Sequence, residues 1–174
     1  MKFTETPLAG AFIVDMTPFE DDRGLFARHW CRREFEQRGL PTDICQINFS
    51  SNPAKGTLRG IHYQVPPYGE SKFIRCVQGA VYDLMIDLRP ESSTYGESFG
   101  VELSQDNNRS LFVPAQFGHG YLTLENNTSV IYHVSEFFTP DAEAGIRFDD
   151  PRFQVKWPIK PVVVSEKDRN WPDF

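Results

Sequence analysis

The chain reads as a succession of short runs of β-branched and aromatic residues broken by Gly, Pro, Asn and Asp, the pattern of an all-β sandwich or barrel. These runs predict strands over Ala11 to Asp15, Cys45 to Ser51, Thr57 to Gln64, Lys72 to Gln78, Ala80 to Leu88, Phe99 to Leu103, Ser110 to Val113, Gly120 to Thr123 and Ser129 to Phe138. Helix is confined to Arg32 to Arg38 in WCRREFEQRGL, where Phe35 turns inward among charges and Gly39 supplies a stop. Gln78-Gly79 predicts a tight hairpin between its flanking strands, and Gln105 to Asn108 a turn. No linker, repeat or low-complexity stretch intervenes, so one domain over residues 1–174 is expected. The tail from Trp157 carries prolines and aromatics that would pin it to the body.

Side chains alternate faces along a strand, so CQINFS sets Gln46, Asn48 and Ser50 on one side and Ile47 and Phe49 on the other. That polar face is either a solvated sheet surface or the lining of a polar cavity. In SVIYHVSEFF the same alternation groups Tyr132 with Val134, Glu136 and Phe138.

Composition narrows the classes. With 174 residues, 40% of them hydrophobic, the chain can bury a core. A net charge of −6 argues against a broad nucleic-acid surface while leaving room for a local basic pocket. Cys31, Cys45 and Cys76 lack CxxC spacing and are odd in number, which points to reduced thiols and the cytoplasm. The first residues contain no long apolar h-region, and no window approaches the roughly 20 apolar residues of a membrane span. Neither nucleic acid nor membrane is an expected partner.

Candidate chemistry concentrates in GTLRGIHYQVPPYGESKFIRC, which gathers Arg59, His62, Gln64 and Lys72. His62 is either a satisfied structural imidazole or a proton carrier. Histidine is the side chain best suited to proton transfer near neutral pH, and Arg59 and Lys72 supply positive charge for a phosphate or a developing enolate oxygen. His119, between Gly118 and Gly120, either turns its edge to a ligand or sits on a glycine-rich surface turn. A metal is not expected, because the HxH pair with a downstream Glu used by many metal-binding cupins is missing. GxxxxGK[ST], GxGxxG and GxSxG are also absent, so phosphoryl transfer, hydride transfer and serine hydrolysis lose their main signatures.

RGIHYQ, KFIRCVQGAVYDLMIDLR, VELSQDNNRSLFVPAQFGHGYL and GIRFDDPRFQVKWP, in this order, resemble the dTDP-4-dehydrorhamnose 3,5-epimerase family from about Glu5 to Asp168. The resemblance implies a cupin-type jelly-roll with few short helices, a homodimer, a nucleotide-diphosphate sugar as substrate, and neither metal nor cofactor. It makes His62 the base beside the C4 ketone, Asp168 the group that orients and charges it, Tyr132 the acid on the opposite face and Lys72 the holder of the enolate oxygen. Arg23, Gln46, Asn48, Arg59, His119, Glu143 and Lys167 match substrate-contacting positions, and Phe138 an aromatic that stacks on the ligand. One departure stands out: RGLFAR puts Arg28 where the family has a nucleotide-contacting Glu, exchanging an acceptor for a five-donor cation. The expected reaction is inversion at C3, C5 or both. A 3,4-ketoisomerase and a non-catalytic sugar-nucleotide binder are the rival readings; Tyr132 and Asp168 together favour epimerisation, and His62, Tyr132 and Lys72 weigh against the binder.

Overall fold

The computed structural model describes residues 1–174 and is built from two six-stranded sheets, with strands numbered here in chain order. The first sheet runs β1 (Lys2–Glu5), β2 (Phe12–Asp15), β10 (Arg109–Val113), β7 (Lys72–Gln78), β12 (Thr128–Val134), β5 (Gln46–Asn52). The second runs β13 (Glu143–Gly145), β6 (Thr57–Gln64), β11 (Phe117–Thr123), β8 (Ala80–Asp87), β9 (Ser98–Ser104), with β14 (Val163–Val164) parallel to the start of β6. A separate hairpin joins β3 (Phe19–Asp21) to β4 (Gly24–Phe26), and the helices α1 (Arg32–Glu36) and α2 (Glu166–Arg169) are short. No helix is long and apolar enough to cross a membrane.

The layers are held together from their facing sides. Ile74, Cys76, Leu111, Val113 and Val130 of the first sheet pack on Val81, Met85, Leu103, Phe117 and Tyr121 of the second. Burial of an apolar side chain of this size contributes about 1.5–3 kcal/mol, so this cluster dominates the packing. On the outer face of the first sheet, Phe35 of α1 caps Val14, Phe73 and Phe112, which explains an inward Phe in an otherwise charged helix. The tail covers the outer face of the second sheet: Phe153, Val155 and Trp157 lie on Ile61, Leu84, Ile86 and Ile146, and Trp157 Nε1 donates to the Phe148 carbonyl at 2.9 Å.

Two sequence expectations are corrected. Gln78-Gly79 makes no hairpin: β7 pairs with β10 and β12, β8 with β9 and β11, and the turn carries the chain from one layer to the other. Gly79 has φ +70°, and a Cβ there would lie 2.5 Å from Thr128 Oγ1. A local turn signal is the same for both outcomes; core packing decides between them. The strand expected to reach Phe138 ends at Val134. Beyond it, the backbone N–H groups of Phe138 and Thr139 donate to the side-chain carbonyls of Gln46 and Gln64, at 2.8 and 2.6 Å, replacing the strand ladder.

Candidate active site

The cleft opens between β5, the edge of the first sheet, and β6, whose outer side is covered only by the short β13 and β14. β5 is patterned in reverse. Gln46, Asn48 and Ser50 are half-buried toward the cleft, whereas Ile47 and Phe49 are 58% and 67% exposed. Of the two readings of this segment, the polar-lined cavity is the one the fold adopts.

On the facing sheet a β-bulge aims the side chains. β11 pairs His119 with His62 and Tyr121 with Arg59, so two steps along β11 answer three along β6. The extra residue resets the alternation and turns both Arg59 and His62 into the cleft. The strands must approach closely here: a Cβ on Gly60, at φ +113°, would stand 2.6 Å from Gly120 Cα and 2.7 Å from the His119 carbonyl oxygen. The glycine beside His119 in the sequence thus serves the strand crossing, and His119 itself is buried.

Two histidine–carboxylate pairs result. His62 Nε2 lies 2.5 Å from Asp168 Oδ1, and His119 Nε2 lies 2.8 Å from Asp83 Oδ1. Burial alone would raise the Asp168 carboxyl, but the hydrogen bond and charge of His62, the Gly60 amide and the Ser165 hydroxyl hold it below its ordinary value. An ionised Asp168 requires the proton on His62 Nε2, which leaves Nδ1 as the ring's acceptor. Across the cleft, Lys72 opens β7 and Tyr132 lies in β12. The Lys72 ammonium pairs with Glu70 at 3.1 Å, both side chains largely buried. Burial raises the Tyr132 phenol above its ordinary value; Tyr121 and Glu70 add to this and Arg59 opposes it. Tyr132 therefore stays protonated near neutral pH. Arg59 is steered by its Nε hydrogen bond to Asn52 Oδ1 at 2.8 Å.

The cleft has two lobes of about 610 and 430 Å³, both bordered by Phe49, His62, Lys72 and Tyr132. Arg59, His119, Lys167 and Asp168 line the larger; Gln46, Asn48, Phe138 and Glu143 line the smaller. Lys167 Nζ and Glu143 Oε2, 2.5 Å apart, tie the lobes at their rim. Two residues are not brought here. Arg23 sits on the exposed β3–β4 hairpin, paired with Asp21, and Arg28 pairs with Glu34 of α1 at 3.1 Å. Sequence reading missed Asp83, Glu70 and Asn52. The signal for Asp83 was present: a lone carboxylate inside the apolar run VYDLMI demands a buried partner. Glu70 and Asn52 carry no such local mark. No cluster of three or more His, Cys, Asp or Glu side chains is arranged to hold a metal.

Residues 5–174 match the family model described as dTDP-4-dehydrorhamnose 3,5-epimerase. The dTDP-4-dehydrorhamnose 3,5-epimerase of Methanothermobacter thermautotrophicus is 39% identical over 98% of this chain and 92% of its own. The crystal structure of the enzyme of that name from Elizabethkingia anophelis superposes with a TM-score of 0.97 at 35% identity, covering 100% of this chain and 96% of the other. The Bacillus anthracis enzyme, solved with TDP and PPi bound, superposes at 0.96 with 36% identity over 99% of both chains. The all-β sandwich is thus of the cupin type shared by these epimerases.

Proposed function

Since the chain belongs to the dTDP-4-dehydrorhamnose 3,5-epimerase family, we propose that it epimerises a dTDP-linked 4-keto-6-deoxyhexose at C3, C5 or both, through an enolate and without a metal or cofactor. The C4 ketone acidifies the protons on both neighbouring carbons, so one base beside that ketone can serve either centre. His62 Nδ1 takes the proton while Asp168 fixes the tautomer and stabilises the imidazolium. Lys72 receives the charge that develops on the ketone oxygen. Tyr132, protonated and carried by the facing sheet, returns a proton from the opposite side of the ring. The observation carrying this reading is the arrangement of His62 and Asp168 on one wall with Lys72 and Tyr132 on the other, all bordering the larger lobe.

The two lobes divide the substrate. Phe138, Gln46 and Asn48 offer a planar base a stacking surface and amide hydrogen bonds in the smaller lobe. Arg59, His119 and Lys167 suit the sugar and diphosphate in the larger. The donor set disfavours a metal, because His62 is engaged with Asp168 and Lys72 is itself a cation. We further propose one domain acting as a homodimer in the cytoplasm. The hairpin leaves Phe19 and Phe26 about three-quarters exposed, and the β5 edge leaves Ile47 and Phe49 uncovered, apolar surface that suits a second copy. Docked there, the hairpin brings Arg23 and Arg28 to the nucleotide in the partner's cleft. The three unbonded cysteines fit a reducing compartment.

The test is proton NMR of the EDTA-treated protein with dTDP-4-keto-6-deoxyglucose in D2O. Deuterium should enter at C3, C5 or both. A folded protein that exchanges neither centre with dTDP-, CDP- or GDP-linked sugar would overturn the proposal; exchange only with another nucleotide would trace the change to Arg28.

A further inference from the structure

The carboxylate that partners His62 rides on very little secondary structure. Asp168 lies in the four-residue α2, entered from the two-residue β14, and a helix this short has no stability of its own. Its local ties are weak. Ser165 caps it by accepting from the Asp168 amide at 3.1 Å, and the Gly60 amide reaches Asp168 Oδ2 only at 3.4 Å. The Lys167–Glu143 pair is half-open to solvent on the lysine side and adds little.

What remains is Trp171. Gly145 of β13 pairs directly with His62, and a Cβ at Gly145 would overlap the Trp171 indole, so the glycine leaves a seat that the ring fills. From that seat the indole meets the His62 imidazole edge-on, with centroids 6.5 Å apart at 67°, and lies 5.6 Å from Lys167 Nζ. A single ring thus spans β6, β13 and α2. The chain just after the ring is anchored as well: Asp173 pairs with Arg147 at 2.8 Å, and the Phe174 amide donates to Asp150 Oδ2 at 2.9 Å. Trp171 Nε1 is buried without an acceptor, so shape and not hydrogen bonding holds the indole.

We propose that Trp171 is the positioning residue of the His62–Asp168 dyad: seated against Gly145, its indole sets the distance and angle at which α2 presents the Asp168 carboxylate to His62. The inference rests on reading His62 as the base and Asp168 as its partner. An anionic carboxylate 2.5 Å from the ring opposes loss of the positive charge that the base acquires, and a retreating carboxylate opposes it less. Displacing Trp171 should therefore lower the plateau rate and move the acid limb of the pH profile to lower pH.

The experiment is the pH profile of deuterium exchange into dTDP-4-keto-6-deoxyglucose for the full chain and four variants. Asp168→Asn should lower the plateau and shift the acid limb downward. Trp171→Ala should reproduce that shift with a plateau loss of about 10–100-fold, the size expected of an ångström-scale misplacement, and a nearly unchanged KM. Gly145→Ala, which evicts the ring without removing it, should behave like Trp171→Ala and carries the test if the latter does not fold. Trp171→Phe keeps an aromatic ring at the position, though a smaller one, and forfeits no hydrogen bond, so it should return part of the activity and move the limb back toward the wild-type value. If Asp168→Asn moves the limb and neither Trp171→Ala nor Gly145→Ala does, the inference is overturned alone, whether or not their plateaus fall. If Asp168→Asn leaves the limb in place, the dyad reading fails and takes this inference with it.

Discussion

The two histidine–carboxylate pairs are built from the same groups on neighbouring strands, with His62 and His119 directly opposite in the β6–β11 register, yet they differ in build, and in the proposed reaction they do different work. The His62 side chain is 31% exposed, and its carboxylate comes from a short helix late in the chain. The His119 side chain is 9% exposed; its carboxylate, Asp83, is wholly buried in the eight-residue β8 and leaves Oδ2 without a partner. A base must meet its substrate and trade a proton with it, which requires an accessible ring nitrogen. A group that holds a substrate in register needs the opposite, a ring that cannot turn. Exposure and the stiffness of the supporting element, not the identity of the pair, divide the two roles.

The sharpest way to break this comparison is to remove each imidazole in turn. His62→Ala should cut deuterium entry at both sugar carbons by about 10³-fold or more, within the range of a lost general base, while the nucleotide still binds. His119→Ala should act mainly on KM, with exchange at saturating substrate reduced by no more than about tenfold. Isotope exchange measured at several substrate concentrations separates the two; an equal collapse of exchange in both variants would erase the distinction.

A smaller effect sharpens it. If the His62 pair alone removes the proton and the acid stands on the facing sheet, Tyr132→Phe should separate the two halves of the reaction. Inversion should fall about 100-fold, as for a lost general acid, while exchange at the same carbon falls far less. Following deuterium entry and product configuration in one NMR time course reads both. A matched loss of exchange and inversion would mean that Tyr132 also supports the enolate.

Much of the fold was legible in the sequence because apolar alternation survives wherever one face meets the core: β6 and β7 have the predicted bounds, and β5, β8 and β10 lie within a residue of them. What escaped were elements without an apolar period of their own. β13, β14 and α2 are two to four residues long and exist by pairing with β6 or by capping, which no local pattern announces. The Gln78-Gly79 turn failed for the complementary reason, since its chemistry is local and its partners are not. In the candidate site, His62 and Lys72 could be picked out by residue type and local sequence, whereas the role of Tyr132 came through the family resemblance. The Asp168–His62 contact spans 106 positions and came only through the family resemblance. Arg23 and Arg28 came by the same route and lie outside the cleft of their own chain, Arg23 on the β3–β4 hairpin and Arg28 beyond it against Glu34.

The smallest predicted effects concern stability, where the ranking of the two pairs should reverse. Asp83→Asn replaces a fully buried carboxylate that already has one unpartnered oxygen, and the new amide must place two N–H donors in the same space. A buried donor left unpaired costs about 1–3 kcal/mol, so the melting temperature should drop by several degrees. Asp168→Asn faces the cleft and should cost about 1 kcal/mol or less near neutral pH. Its cost should also depend on pH in a defined direction. The folded-state pKa of Asp168 lies below the ordinary carboxyl value of 3.8, so its ionised form contributes stability that is complete above that value and is lost as pH falls through the folded pKa. Melting curves of wild type and Asp168→Asn should therefore converge below about pH 4 and stand apart at pH 7. A gap that keeps widening as the pH falls below about 4, where the Asp168 carboxylate itself is protonated, would mean that burial, and not the bond to His62, governs Asp168, and the distinction between a poised pair and a fixed one would lose its electrostatic half.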